Sequence, residues 1–155
     1  PEVCLCISTA DCVPLIFYDR SKKVVGAAHA GWRGTCAQIA VKTVNAMTKT
    51  YHSNPEDIFV GIGPSISAKV YNVGSELLTA FENEGFPVDQ IFHKKADQLF
   101  LDLWEANRWQ LEQSGIPSEQ IEISGHCTFT EHERFFSARR LGIQSGRLLS
   151  GIVIK

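Results

Sequence analysis

Two β-rich runs, residues 13–18 and 23–28, flank the short polar stretch Asp19-Arg20-Ser21-Lys22. That is the pattern of an antiparallel hairpin, and it constrains the chain more than any other feature. A purely parallel, doubly wound sheet has no place for it. Antiparallel pairing folds the second run back along the first. Cys12, just before the hairpin, and His29, just after it, then come out at the same open end. Both can offer a lone pair to a metal.

Around the hairpin the chain alternates strands and helices. Residues 3–8 read as a strand before it. The spacing of Ile39, Val41, Val44 and Met47 predicts a helix over 34–51. A buried strand over 58–62 follows, ending in the loop signal Gly63-Pro64-Ser65-Ile66-Ser67. Further helices are expected over 74–84 and 102–114, with Asp102 as an acid at a helix start. Residues 92–95 read as a short strand or loop. Strands are expected over 120–124, 134–140 and 148–154. This order predicts a mixed α/β sandwich with helices packed on a largely buried sheet. The 155 residues suit one domain spanning 1–155. The chain opens at Pro1, without methionine, and runs directly into Val3-Cys4-Leu5-Cys6-Ile7. The expectation is that sequence upstream is missing.

A formal net charge of −2 gives no reason to expect nucleic acid or an acidic membrane surface as a partner. No apolar run approaches a bilayer span and there is no leader pattern, so a cytoplasmic protein is expected. Five cysteines, Cys4, Cys6, Cys12, Cys36 and Cys127, are an odd count without framework spacing, which suits reduced thiols. Cys4 and Cys6 alternate along a strand-like run and are expected to line the core from one face.

Cys12 and His29 support two chemistries. They could form a nucleophilic Cys–His dyad. They could instead bind zinc with a third protein ligand, leaving a position for water or substrate. Gly31-Trp32-Arg33-Gly34 joins a strand to a helix and could present Arg33 to an anion. Gly63, after another strand, could let a ligand approach the backbone. Arg139, Arg140 and Arg147 concentrate positive charge near the C-terminus. On a strand, Arg139 and Arg140 would point to opposite faces, so at most one serves a given pocket.

The segments Thr9-Ala10-Asp11-Cys12-Val13-Pro14, His29-Ala30-Gly31-Trp32-Arg33-Gly34-Thr35, Gly61-Ile62-Gly63-Pro64-Ser65-Ile66, Cys127-Thr128 and Phe135-Phe136-Ser137-Ala138-Arg139-Arg140 with Gly146-Arg147 together resemble the YfiH/YlmD family. That family was long labelled multicopper polyphenol oxidase or laccase. The resemblance covers the whole chain. It implies an α/β/β/α layered sandwich and a purine nucleoside enzyme. The implied reactions are phosphorolysis of adenosine, inosine and methylthioadenosine, and deamination of adenosine. It also implies a zinc centre of two histidines and one cysteine. Cys12 and His29 match the cysteine and the second histidine as metal and catalytic residues. Arg33, Gly63, Arg139, Arg140 and Arg147 are the expected phosphate and substrate contacts. No histidine precedes Cys12, so the family's first histidine has no counterpart here. Ser65, Ser67 and Asn72 stand where the family often carries cysteines and a glutamate, so no thiol or carboxylate role is expected of that loop. Copper fits less well than zinc, because a multicopper enzyme needs more than five histidines. Two other classes stay open: a Cys–His hydrolase or amidase acting on cell-wall peptide precursors, and a non-catalytic binding domain.

Overall fold

The hairpin forms and sits at the centre of the molecule. The computed structural model describes residues 2–154. Strand β1 (Leu5–Thr9) leads through three residues into β2 (Val13–Asp19) and β3 (Val24–Ala30). Helices α1 (Trp32–Cys36) and α2 (Ile39–Tyr51) follow, then β4 (Ile58–Ile62), β5 (Asn72–Val73), α3 (Ser75–Asn83) and α4 (Val88–Ile91). The rest is β6 (Phe92–Lys95), β7 (Gln98–Leu101), α5 (Leu103–Gln113), β8 (Ile121–Ile123), α6 (Ala138–Leu141) and β9 (Leu148–Ile152). One sheet has the order β3-β2-β4-β8, with β4 and β8 parallel and the other pairs antiparallel. A second pairs β1 with β9, and a third has the order β5-β7-β6. The mixed α/β class with mixed sheets is the one expected. No helix among the described residues is long and apolar enough to cross a membrane.

The core follows from strand alternation. Val13, Leu15 and Phe17 leave β2 on one face and are fully buried, joined by Ile58, Val60 and Ile62 from β4. Val44 and Met47 of α2 and Leu103, Ala106 and Leu111 of α5 close over them. The remaining sheet pair, β1–β9, lies against β2 and β3.

The hairpin turn is stabilised by its own acid. Asp19 is buried, and its Oδ1 accepts hydrogen bonds from the amides of Ser21 at 2.8 Å and Lys22 at 2.9 Å. Burial opposes its ionisation, but the hydrogen bonds it receives hold the carboxyl below the usual carboxylate value. A depressed folded pKa contributes stability that is present above the unfolded value, about 3.9, and is lost as pH falls through the folded one. The expected result is a melting temperature that declines below about pH 4. In Asp19→Asn that part of the decline is absent, and stability at neutral pH is lower by about 1–2 kcal/mol. Thermal melts across acid pH measure both.

Four details depart from expectation. The helix expected over 34–51 is two helices, broken where Gln38 takes a left-handed conformation at φ 57°. The cause is tertiary. Buried Thr35 donates its hydroxyl to the Ala30 carbonyl at 3.1 Å, while Asn107 Nδ2 donates to that hydroxyl at 3.1 Å and Gln110 Nε2 to the Thr35 carbonyl at 2.9 Å. With that carbonyl held by α5, the chain turns and restarts as α2. Residues 134–140 are not a strand but a loop running into the one-turn helix α6. Cys4 and Cys6 are exposed rather than core, their sulfurs 3.5 Å apart. Strands β5 and β7 and helix α4 lie outside the expected elements; β7 pairs with β5 on one side and with β6, as a second hairpin, on the other. Asp102 does start a helix, capping the Glu105 amide at 3.0 Å.

Candidate active site

His29 is the penultimate residue of β3 rather than the residue after it, and it pairs with Pro14 of β2. Cys12 lies one residue before β2, so the hairpin register sets thiol and imidazole side by side. Their meeting point is Gly31. A Cβ built on that glycine would lie 2.8 Å from Cys12 Sγ and 3.8 Å from His29 Nε2. The absence of a side chain there leaves the space that both donors face. Cys12, His29, Gly31, Trp32, Arg33 and Gly34 line a cleft of about 240 Å³.

Burial pushes the Cys12 thiol above its ordinary value, and the neighbouring Asp11 charge adds to this, while the Arg147 guanidinium pulls it back. Arg33 is exposed, with its guanidinium 4.4 Å from the centre of the Trp32 ring. That stacking restrains a side chain that would otherwise be free in solvent.

The remaining expected residues divide. Arg139 stays exposed but is held against Tyr71 and Asn72. Its guanidinium lies 5.0 Å from the Tyr71 ring centre and donates to the Asn72 carbonyl at 3.2 Å and to Asn72 Oδ1 at 3.0 Å. Tyr71 is held above its ordinary pKa by burial, and it feels the charges of Arg139, Cys12, Asp11 and Arg33. Tyr71 thus stands beside Arg139, and nothing in the sequence marked it out. Arg140 turns instead to Phe129, 5.6 Å from its ring centre. The opposite-face argument for the two arginines fails because they sit on a helical turn, yet they do separate. Arg147 hydrogen-bonds the Ser145 and Gly146 carbonyls. A Cβ added at Gly63 would lie 2.8 Å from Pro14 Cγ, and the Gly63 amide donates to the Pro14 carbonyl at 2.9 Å, while Gly63 with Gly61, Ile62 and Glu122 lines a different cleft of about 180 Å³. The close approach at Gly63 is chain against chain.

Thiolate and imidazole are the donors zinc prefers, and a catalytic zinc takes three protein ligands with one open position. Cys12 and His29 fit in kind and in their convergence on Gly31. Among the described residues no group of three or more His, Cys, Asp and Glu side chains is placed to hold an ion. Cys12 and His29 are thus two groups of the kind such a centre would use.

The family model described as multi-copper polyphenol oxidoreductase laccase matches residues 1–155. A "Purine nucleoside phosphorylase" of Bacteroides thetaiotaomicron is 49% identical over 99% of this chain and 58% of its own length. "Purine nucleoside phosphorylase YlmD" of Bacillus subtilis is 45% identical over 99% of this chain and 56% of its own. "Adenosine deaminase RL5", from an unknown prokaryotic organism, is 40% identical over 96% of this chain and 57% of its own. The crystal structure of the Bacillus licheniformis protein YfiH superposes with a TM-score of 0.94 at 40% identity, covering 100% of this chain and 59% of that one. The chain thus spans less than two thirds of the length of the relatives it matches. With the ADC and HAGWRG segments meeting at one cleft and the match running from end to end, the chain belongs to the multi-copper polyphenol oxidoreductase laccase family.

Proposed function

We propose that this chain carries much of the site of a zinc-dependent purine nucleoside enzyme. The reactions are phosphorolysis of adenosine, inosine and methylthioadenosine, and deamination of adenosine. The observation that carries the reading is the convergence of Cys12 Sγ and His29 Nε2 on Gly31 beside Arg33, in a chain similar to purine nucleoside phosphorylases. Cys12 and His29 would hold the metal together with a ligand from outside the described residues. Bound zinc supplies Lewis acidity that makes water a stronger nucleophile near neutral pH. Arg33, steadied on Trp32, and Arg139, steadied by Tyr71 and Asn72, bind and orient the phosphate dianion. In phosphorolysis a phosphate oxygen bonds to the ribose C1′ as the C1′–N9 bond breaks. The bonding pair leaves with the base, which takes up a proton. In deamination water adds at the purine C6 and ammonia departs. The five thiols, none in a disulfide, suit a reducing cytosol.

The hydrolase reading is weaker on one specific ground. A nucleophilic cysteine needs its thiol held low, whereas burial and Asp11 hold Cys12 high. A metal ion deprotonates a coordinating thiol directly, so the same environment does not count against the zinc reading.

The test is product analysis. Purified full-length protein is stripped of metal, reloaded with zinc, and incubated with adenosine or inosine, with and without phosphate. Free base and ribose 1-phosphate that appear only with phosphate and zinc support the phosphorylase, and inosine from adenosine supports the deaminase. A zinc-loaded enzyme giving neither product overturns the reading.

Gly31→Ala is a sharper probe of the metal centre. Gly31 has φ −65° and ψ 172°, a conformation any residue adopts. Alanine therefore costs little in the backbone, while its methyl displaces the Cys12 sulfur. Zinc affinity is expected to fall about 10–100-fold with the melting temperature of the metal-free protein nearly unchanged. Competition against a chromogenic chelator reads the first and thermal melts the second.

A further inference from the structure

Asp11 occupies an unusual position for a residue without a ligand of its own. It lies between β1 and β2, next to Cys12, with φ at +80°. That left-handed conformation is uncommon outside glycine, though aspartate and asparagine tolerate it best. Its side chain is buried, at 8% exposure. All of its hydrogen bonds reach far along the chain. Oδ1 accepts from the Thr128 hydroxyl at 2.7 Å. Oδ2 accepts from the Ser137 hydroxyl at 3.0 Å and from the Arg139 amide at 2.6 Å. Its carbonyl accepts from the Ile66 amide at 3.0 Å. Ser137 in turn caps the Arg140 amide at 3.2 Å.

We propose that Asp11 is the positioning residue that ties the Cys12 turn to the arginine-bearing segment, so that Arg139 is held at the same site as Cys12 and His29. Residues 131–137 have no sheet or long helix to fix them. What anchors the start of α6 is this carboxylate, and Arg139 follows from that anchor to Tyr71 and Asn72. The role goes beyond the ligands and phosphate contacts of the proposed function, and its enzymatic part rests on that reading.

Asp11→Asn isolates the carboxylate. Asparagine accepts the left-handed backbone and keeps one oxygen for Thr128. Its amide nitrogen then faces Ser137, whose hydroxyl can turn and accept, and the Arg139 amide, which cannot. Only the Arg139 amide must lose its acceptor. Two readouts follow. Amide hydrogen exchange over 137–141 should quicken about tenfold or more, while β2 and β3 keep their protection. The KM for phosphate should rise about tenfold, with kcat and zinc content within twofold of the parent.

Thr128→Val removes a single partner, the hydroxyl at Oδ1, and leaves Asp11 and the Ser137 cap of α6 in place, so it should show the same pattern at smaller size. It also supplies the decisive measurement if Asp11→Asn does not fold. Unchanged exchange over 137–141 overturns the proposal. So does a loss of zinc and kcat at constant phosphate KM, which would make Asp11 a support for Cys12 alone. If the parent protein turns over no nucleoside, the functional reading fails, and the exchange experiment still decides whether the carboxylate anchors the segment.

Discussion

Cys12→Ala is expected to give a folded protein that, on the proposed function, no longer retains zinc through dialysis and loses nearly all release of purine base. Cys12 is only half-buried and touches little of the apolar core, so its methyl replacement is tolerated by the fold. The loss is chemical. A metal ion contributes several kcal/mol of charge stabilisation, and each ~1.4 kcal/mol is a factor of ten in rate. Base release should therefore fall by at least about 10³-fold. Metal analysis and the chromatographic product assay measure the two effects together. Retention of full activity with one zinc per chain would remove Cys12 from the ligand set. A variant that keeps zinc yet loses activity would return the cysteine to a nucleophilic role.

Phe17→Ala should cost stability on a scale that surface changes never reach. Phe17 is fully buried in the middle of β2, paired with Gly26 of β3 on one side and Val60 of β4 on the other. Over Gly26 come Met47 and Thr43 from α2, as close as 3.1 Å and 3.5 Å to where its Cβ would be. Truncating a buried phenylalanine costs about 3–5 kcal/mol, because a cavity remains where neighbours cannot collapse. For a chain of this size the melting temperature should drop by about 10 °C. A loss under about 1 kcal/mol in a denaturant titration would mean that α2 does not close over the hairpin at Phe17 and Gly26 as described.

Local patterning made the central hairpin, the buried strand β4 and the helices α3 and α5 legible, because each carries a clean apolar period bounded by turn residues. The pairing of Cys12 with His29 was legible for the same reason, since hairpin register is a local property. What escaped the sequence depends on distant partners. The break at Gln38 has no glycine or proline to announce it; Asn107 and Gln110 impose it from another helix. The segment ending in Arg139 and Arg140 reads as a strand by alternation, and a buried carboxylate more than a hundred residues away makes it a loop and a helical turn. Tyr71 gave no signal either, since a lone tyrosine in a loop looks like many others. The excess of arginines in a near-neutral chain was the only hint that something must receive them.

The two halves of the cleft differ in how they assemble in time. Cys12 and His29 are joined by a short hairpin, so bringing them together closes a small loop. Asp11 meets Thr128 and Ser137 across separations of 117 and 126 residues, which closes a far larger one. Loop-closure entropy grows with the logarithm of length, and non-local contacts are the slow ones in folding. Donor pairing is therefore expected to precede docking of the arginine segment, and pulse-labelled amide exchange during refolding should protect β2 and β3 before residues 137–141.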